Sequence, residues 1–341
     1  MTLPQPATPR KRLGLWAPFA ALAVAVLALS GYWLWLRAEA VGRLETLRGA
    51  GAPTASRLNW RGLAVHGFPF RLDLDFTDVD WRDGSGWGLS APALKTEAFV
   101  FAPSHWVAVA PNGVTVTRPL KGPVVVSAKV LRASLSETDH RPPRFSLEGI
   151  DLTFTPGPGA APYFLSAAKE LHIHTKAGPD DQGAFMIELD GARSGLPDLI
   201  GAIAAGRPAD ILADAIYDHA SALAGADWPS AVRAWSASGG RLDLRHLRLQ
   251  AGEALLDAHG QSLAVGDDAR LSGALMVSLR QAPRALAVLG AEGTISPEAA
   301  GSAATAVGAA TQGQIAAMTL EFQAGRTTLG PVDLGPAPKV Y

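Results

Sequence analysis

The sequence predicts a mainly β protein with helical inserts, in which an N-terminal transmembrane helix precedes curved antiparallel β-sheet. Three observations carry that expectation. Leu13 to Leu36 is a run of 24 residues without a charged side chain. Beyond it, short segments alternate apolar and polar residues with a period of two, the mark of a strand with one buried and one wet face. Between them lie turn formers, in a chain holding 36 Gly and 25 Pro. Alternating segments joined by tight turns make antiparallel meanders rather than βαβ units.

Charge distribution comes next. Arg10, Lys11 and Arg12 supply three of the 30 Lys and Arg residues, and the next basic residue is Arg37. The remaining 27 stand against all 31 Asp and Glu, so the body is mildly acidic. It has no global basic field for nucleic acid. The chain has no cysteine, which excludes disulfides, thiol nucleophiles and cysteine metal sites.

At about 1.5 Å per residue, a helix over residues 13–36 covers roughly 36 Å, enough to cross a bilayer core with some tilt. Trp16 near one end and Tyr32, Trp33 and Trp35 at the other suit the two interfacial belts. The basic cluster puts residues 1–12 in the cytoplasm as a tail, with 13–36 as a single-pass anchor and the rest outside. Ala28-Leu29-Ser30 also offers small residues for a signal peptidase. The apolar run continues through Leu36, which favours an uncleaved anchor, and both readings leave the body outside the cytoplasm. Residues 37–55 read as a juxtamembrane helix and linker, with Val41, Leu44 and Leu47 on one stripe and Gly49 to Pro53 ending it.

Residues 56–195 read as a first β-rich part. Its clearest strand is Phe70 to Phe76, with Phe70, Leu72, Leu74 and Phe76 on one face and Arg71, Asp73 and Asp75 on the other. The phase slips near Asp78, which predicts a bulge or strand end there. Asp83-Gly84-Ser85-Gly86 is hairpin chemistry. Further on, Leu171 and Ile173 point inward, opposite Glu170, His172, His174 and Lys176. Residues 196–228 read as a helical insert, with helices over Pro197 to Ala205 and Asp210 to Leu223; Asp210, Asp214 and Asp218 form an acidic stripe on the second. Residues 229–341 read as a second β-rich part. Leu247 and Leu249 alternate with charged residues, and Leu275, Val277 and Leu279 share a face. Short helices are expected over Pro283 to Leu289 and from Ser296 to about Ala310, and Gly330 to Pro338 as a Pro/Gly tail.

The chain contains no phosphate-binding loop, no Gly-x-Ser-x-Gly elbow and no His-Glu-x-x-His helix. His172 and His174 share a strand face with Glu170 and Lys176, and that reads as a solvated face rather than a metal site. His105 reads as a loop residue beside Trp106, and His219 as a satisfied histidine near the core. The acids from Asp73 to Asp80 read as a wet strand face. Trp60, Trp81, Trp87 and Trp106 suit core and turn packing or an aromatic-lined groove. No catalytic residue, metal ligand or cofactor is assigned. The candidate ligand-binding surface is the face of Phe70, Leu72, Leu74 and Phe76, as a groove admitting lipid or as sealed core.

The strings Gly67-Phe68-Pro69-Phe70-Arg71-Leu72-Asp73-Leu74, Trp87-Gly88-Leu89-Ser90-Ala91-Pro92 and Ala102-Pro103-Ser104-His105-Trp106 resemble the domain of unknown function 2125 family. The resemblance extends over nearly the whole chain. It implies an inner-membrane-anchored envelope protein of Gram-negative bacteria, with a periplasmic body and no assigned biochemical activity. The leucine-and-glycine rhythm from Gly240 to Leu244 and from Leu271 to Leu275 is similar, more distantly, to the AsmA-like group, whose curved sheets form apolar grooves for lipids. The expected function is therefore non-enzymatic: binding or shielding lipid, or alternatively serving as a scaffold for an envelope protein. A hydrolase would require His105, His172 and His174 to gather with carboxylates.

Overall fold

The structure is a computed structural model that describes residues 13–49, 56–194, 206–252, 254–280, 296–311, 316–330 and 332–341. The helix α1 (Leu13–Gly49) is continuous from the apolar run into the juxtamembrane segment. Its stripe against the body is Trp33, Leu36, Ala40 and Leu44. Leu47, expected on that stripe, is exposed.

Among the described residues all strands join one antiparallel sheet. β1 (Arg57–Asn59) and β2 (Gly62–His66) lie end to end along one edge of β3 (Arg71–Arg82). β3 pairs with β4 (Gly88–Phe99), whose two ends pair with β5 (Trp106–Val109) and β6 (Val114–Arg118). These pass to β8 (Val130–Ser136) and β7 (Gly122–Ser127), and both of those pair with β9 (Arg144–Pro156). From β9 the sheet is a plain meander through β10 (Leu165–Ala177), β11 (Gly183–Ser194), β12 (Ala209–Tyr217), β13 (Leu242–Ala251), β14 (Ala254–Val265) and β15 (Leu271–Arg280). It ends in β16 (Ala316–Gln323), β17 (Arg326–Leu329) and β18 (Val332–Pro336).

Local chemistry explains most of the turns. At the β3–β4 hairpin the Asp83 carboxylate accepts from the backbone N–H groups of Ser85 (3.0 Å) and Trp87 (2.9 Å). The phase change near Asp78 is not a bulge. The β3–β4 register runs unbroken from Thr77↔Ala93 to Val79↔Ala91. Asp78 instead takes a left-handed φ of 50°, which turns the following side chains to the other face, and its carboxylate pairs with Arg61 at 2.6 Å. The same device recurs at Asp151 (φ 53°) in β9, opposite the break between β7 and β8. Gly191 (φ 60°) in β11 differs: the register against β12 shifts by one residue between Leu189 and Ala192, a bulge, and the Gly191 N–H is held by Asp210 at 2.9 Å.

The helix expected over Asp210 to Leu223 is strand as far as Tyr217. Acids four apart fit one helical face, but four is also an even number, so the same acids fit one face of a strand. Pairing with β11 and β13 on both sides decides between the two. The helices expected over Pro197 to Ala205 and over Pro283 to Leu289 lie outside the described residues. Because β12 ties β11 to β13, the two expected β-rich parts form one sheet. His219, expected near the core of a helix, is exposed beside Asp218. Where the second β-rich part was expected to begin at residue 229, a helix, α2 (Trp228–Ala237), follows instead. Asp227 caps it by accepting from Ser230 N–H at 2.8 Å, and Ser230 Oγ accepts from Asp227 N–H in return.

The Ala-rich helix is present as α3 (Pro297–Thr311). The expected Pro/Gly tail contains β18, and residues beyond it turn back onto the sheet. Leu271 N–H donates to Pro338 O and Val340 N–H to Ala269 O, both at 2.9 Å.

Candidate functional site: the apolar inner face

The register aligns side chains into rows that cross the strands. One row runs Leu131, Gly149, Leu171, Leu189, Ile211, Leu249, Leu256, Leu279 from β8 to β15. The next row on that face runs Ala133, Leu147, Ile173, Ile187, Ala213, Leu247, Ala258, Val277, Met318 from β8 to β16. Every side chain in both rows is apolar. Gly149 interrupts only in name: a Cβ there would lie 2.7 Å from Leu152 Cδ2, so Leu152 fills its place. With strands about 4.8 Å apart, the second row is roughly 38 Å long.

Between these rows, on the opposite face, the same strands carry Arg132, Glu148, His172, Glu188, Leu212, Arg248 and Asp257. Arg132 pairs with Glu148, and Arg248 with Asp257 at 3.0 Å. The sheet is therefore leucine-faced inside and charge-paired outside, with Leu212 the one apolar residue in that outer row.

Coverage of the inner face is uneven. Under α1 it is sealed: Leu72, Leu74 and Phe76 are buried with Trp60, Val79 and Val100 against Trp33 and Leu36. Phe70, the fourth residue of the face read from the sequence, lies in the β2–β3 turn and is exposed. That end of the face is thus occupied by the chain's own helix. Val114 links this core to the next, built on Val124, Val126, Leu152 and Phe154. α3 places Ala300 and Ala303 against Leu329. In the middle, Leu147, Ile173, Ile187, Ala213 and Leu247 are only half-buried. Of these, Ile173 and Leu247 were legible from alternation, while Ala213 was hidden by the helical reading of its segment.

The polar candidates do not converge. The His172 and His174 rings lie parallel, 6.3 Å apart, on one face as expected. His172 Nε2 is 3.6 Å from Glu170, and His174 Nδ1 is 2.9 Å from Ser146 Oγ. Asp181 is committed to Ser221, accepting from its N–H and Oγ–H. Asp73 and Glu97 stand opposite each other and share Arg71 at 3.1 and 3.2 Å. Among the described residues no group of three or more His, Asp or Glu is placed to hold a metal. A shallow depression of about 420 Å³ on the outer side is lined by Arg144, Ser146, His174, Lys176, Met186 and Asp214 among others. Burial raises the Tyr217 and Tyr163 hydroxyls above the ordinary tyrosine range.

These features define an amphipathic antiparallel sheet protein with, among the described residues, one helix long and apolar enough to cross a membrane. The chain belongs to the domain of unknown function 2125 family, described as an uncharacterised protein conserved in bacteria, which matches residues 33–338. No curated protein and no solved structure matches it, so the likeness to the AsmA-like group rests on sequence rhythm alone.

Proposed function

We propose that this protein is a single-pass inner-membrane protein with a periplasmic body that holds a lipid acyl chain, or a similar amphiphile, along the two apolar rows. It acts by binding and shielding rather than by catalysis. The observation that carries this reading is the half-buried apolar stretch from Leu147 to Leu247, continuous across five strands. An apolar surface left partly open to water gains free energy from any acyl chain that covers it, at about 25 cal/mol per Å². The apolar helix and its N-terminal basic cluster support the membrane location.

The test uses neighbours that point to opposite faces. A photo-crosslinking amino acid is placed in the full chain at Ile187 or at Glu188, and adducts formed in cells are identified by mass spectrometry. Lipid adducts are expected at Ile187 and not at Glu188. Protein adducts at Ile187, without lipid, would replace this reading with the scaffold function.

A further inference from the structure

We propose that the end of the sheet formed by the β2–β3 and β4–β5 turns is a second membrane contact, seated in the outer interface of the bilayer that α1 crosses. This rests on the reading of α1 as a membrane anchor. Four phenylalanines at this end face solvent, Phe68 and Phe70 in the β2–β3 turn, Phe99 closing β4 and Phe101 in the β4–β5 turn: they are 56%, 60%, 50% and 75% exposed. The Phe99 and Phe101 rings stack at 5.0 Å. Val100 N–H donates to Phe70 O at 3.0 Å, which ties the two turns together.

Their position relative to the helix is fixed. Phe68 meets Trp33 edge-on at 5.5 Å, and Trp33 Nε1–H donates to Arg71 O at 2.7 Å. The twenty residues from Leu13 to Tyr32 span about 30 Å as a helix, the thickness of a bilayer's hydrocarbon core. Trp33 therefore marks its outer boundary, and Tyr32 and Trp35, stacked at 5.9 Å and exposed, sit at the same level. From there α1 follows β3. Trp33 lies at the Arg71 end, and Arg48 reaches Trp60 O at 3.1 Å further along the strand. The Arg71 end of β3 thus faces the membrane, and the Trp81–Trp87 hairpin points away from it. Aromatic rings at this depth extend the helix's own interfacial belt, which identifies the occupant of the patch as lipid rather than another protein.

The chain has no cysteine, so single cysteines report cleanly. Phe70→Cys and Phe101→Cys are spin-labelled in the full chain, reconstituted into vesicles of phosphatidylethanolamine and phosphatidylglycerol. Val24→Cys in α1 and Trp87→Cys at the far hairpin serve as references. Power saturation compares access to oxygen, which partitions into lipid, with access to an aqueous nickel chelate. Labels at Phe70 and Phe101 are expected to favour oxygen, as at Val24, while the label at Trp87 favours the chelate. If Val24 favours oxygen and both turn positions favour the chelate, the second contact is overturned and the anchor stands. If Val24 itself favours the chelate, the anchor reading fails and takes the second contact with it.

Discussion

Replacing Trp33 with alanine removes the side chain that joins α1 to the sheet. Trp33 is buried among residues of β3 and donates its indole N–H to Arg71 O at 2.7 Å. Truncating a buried tryptophan to alanine costs about 3–5 kcal/mol. Trp33→Phe keeps a six-membered ring in the joint but removes the pyrrole part of the indole with its N–H. The Arg71 carbonyl then loses its donor, about 1–3 kcal/mol if water does not replace it, on top of a smaller packing loss than in Trp33→Ala. Both losses fall on one joint, so the first consequence is local undocking of α1 from β3. Each 1.4 kcal/mol is roughly tenfold in an equilibrium constant, so Trp33→Ala raises the open population at least about 100-fold. Hydrogen exchange followed by mass spectrometry on the solubilised full chain reads this directly. Exchange is expected to accelerate in residues 37–48 and in β3, strongly for Trp33→Ala and less for Trp33→Phe, while β13–β15 keep their rates. Unchanged exchange in both segments of Trp33→Ala would refute the assignment of Trp33 as the joint.

Gly67 has a φ of 95°, and a Cβ there would stand 2.6 Å from Arg71 O; Gly67→Ala is expected to cost more than about 1 kcal/mol and to lower the melting temperature. Arg118 is buried and donates to the carbonyls of Gly122, Lys121, Ala161 and Pro162. At about 1.5 kcal/mol or more per charge-assisted bond, Arg118→Met is expected to lose at least about 3 kcal/mol in denaturant titration and to open residues 157–163 to protease. Arg118→Lys should rescue little, because an ammonium lacks the planar fork that reaches several carbonyls at once. The Asp227 carboxyl is held below the usual aspartate range, first by the Ser230 side chain and then by its backbone N–H. A carboxyl lowered in the folded state contributes stability that is present above its unfolded pKa and lost as pH falls through the folded value. The melting-temperature gap between wild type and Asp227→Ala is therefore expected to hold at neutral pH and to close on acidification. A gap independent of pH would contradict the capping role.

The sequence by itself determined the features set by local rules. A charge-free run of Leu13 to Leu36 makes one long apolar helix whatever follows it. Alternation placed Leu72, Leu74, Leu171, Ile173, Leu247, Leu275 and Val277 on inward faces, and Asp83-Gly84-Ser85-Gly86 made its hairpin. Asp227-Trp228-Pro229-Ser230 is likewise a local capping signal, with Asp before the helix and Pro in its first turn. Tertiary structure decided whatever depends on a partner. Acids four residues apart at Asp210 and Asp214 satisfy both a helix and a strand, and only pairing with β11 and β13 separates the two. Register lies between strands and not within any one of them, so the apolar rows through Ile187 and Ala213 exist only once the strands are aligned. For the same reason, alternation showed that Leu72, Leu74 and Phe76 turn inward but not what meets them. The docking of α1 along β3 seals that end of the face, while the apolar rows in the middle of the sheet stay half-buried.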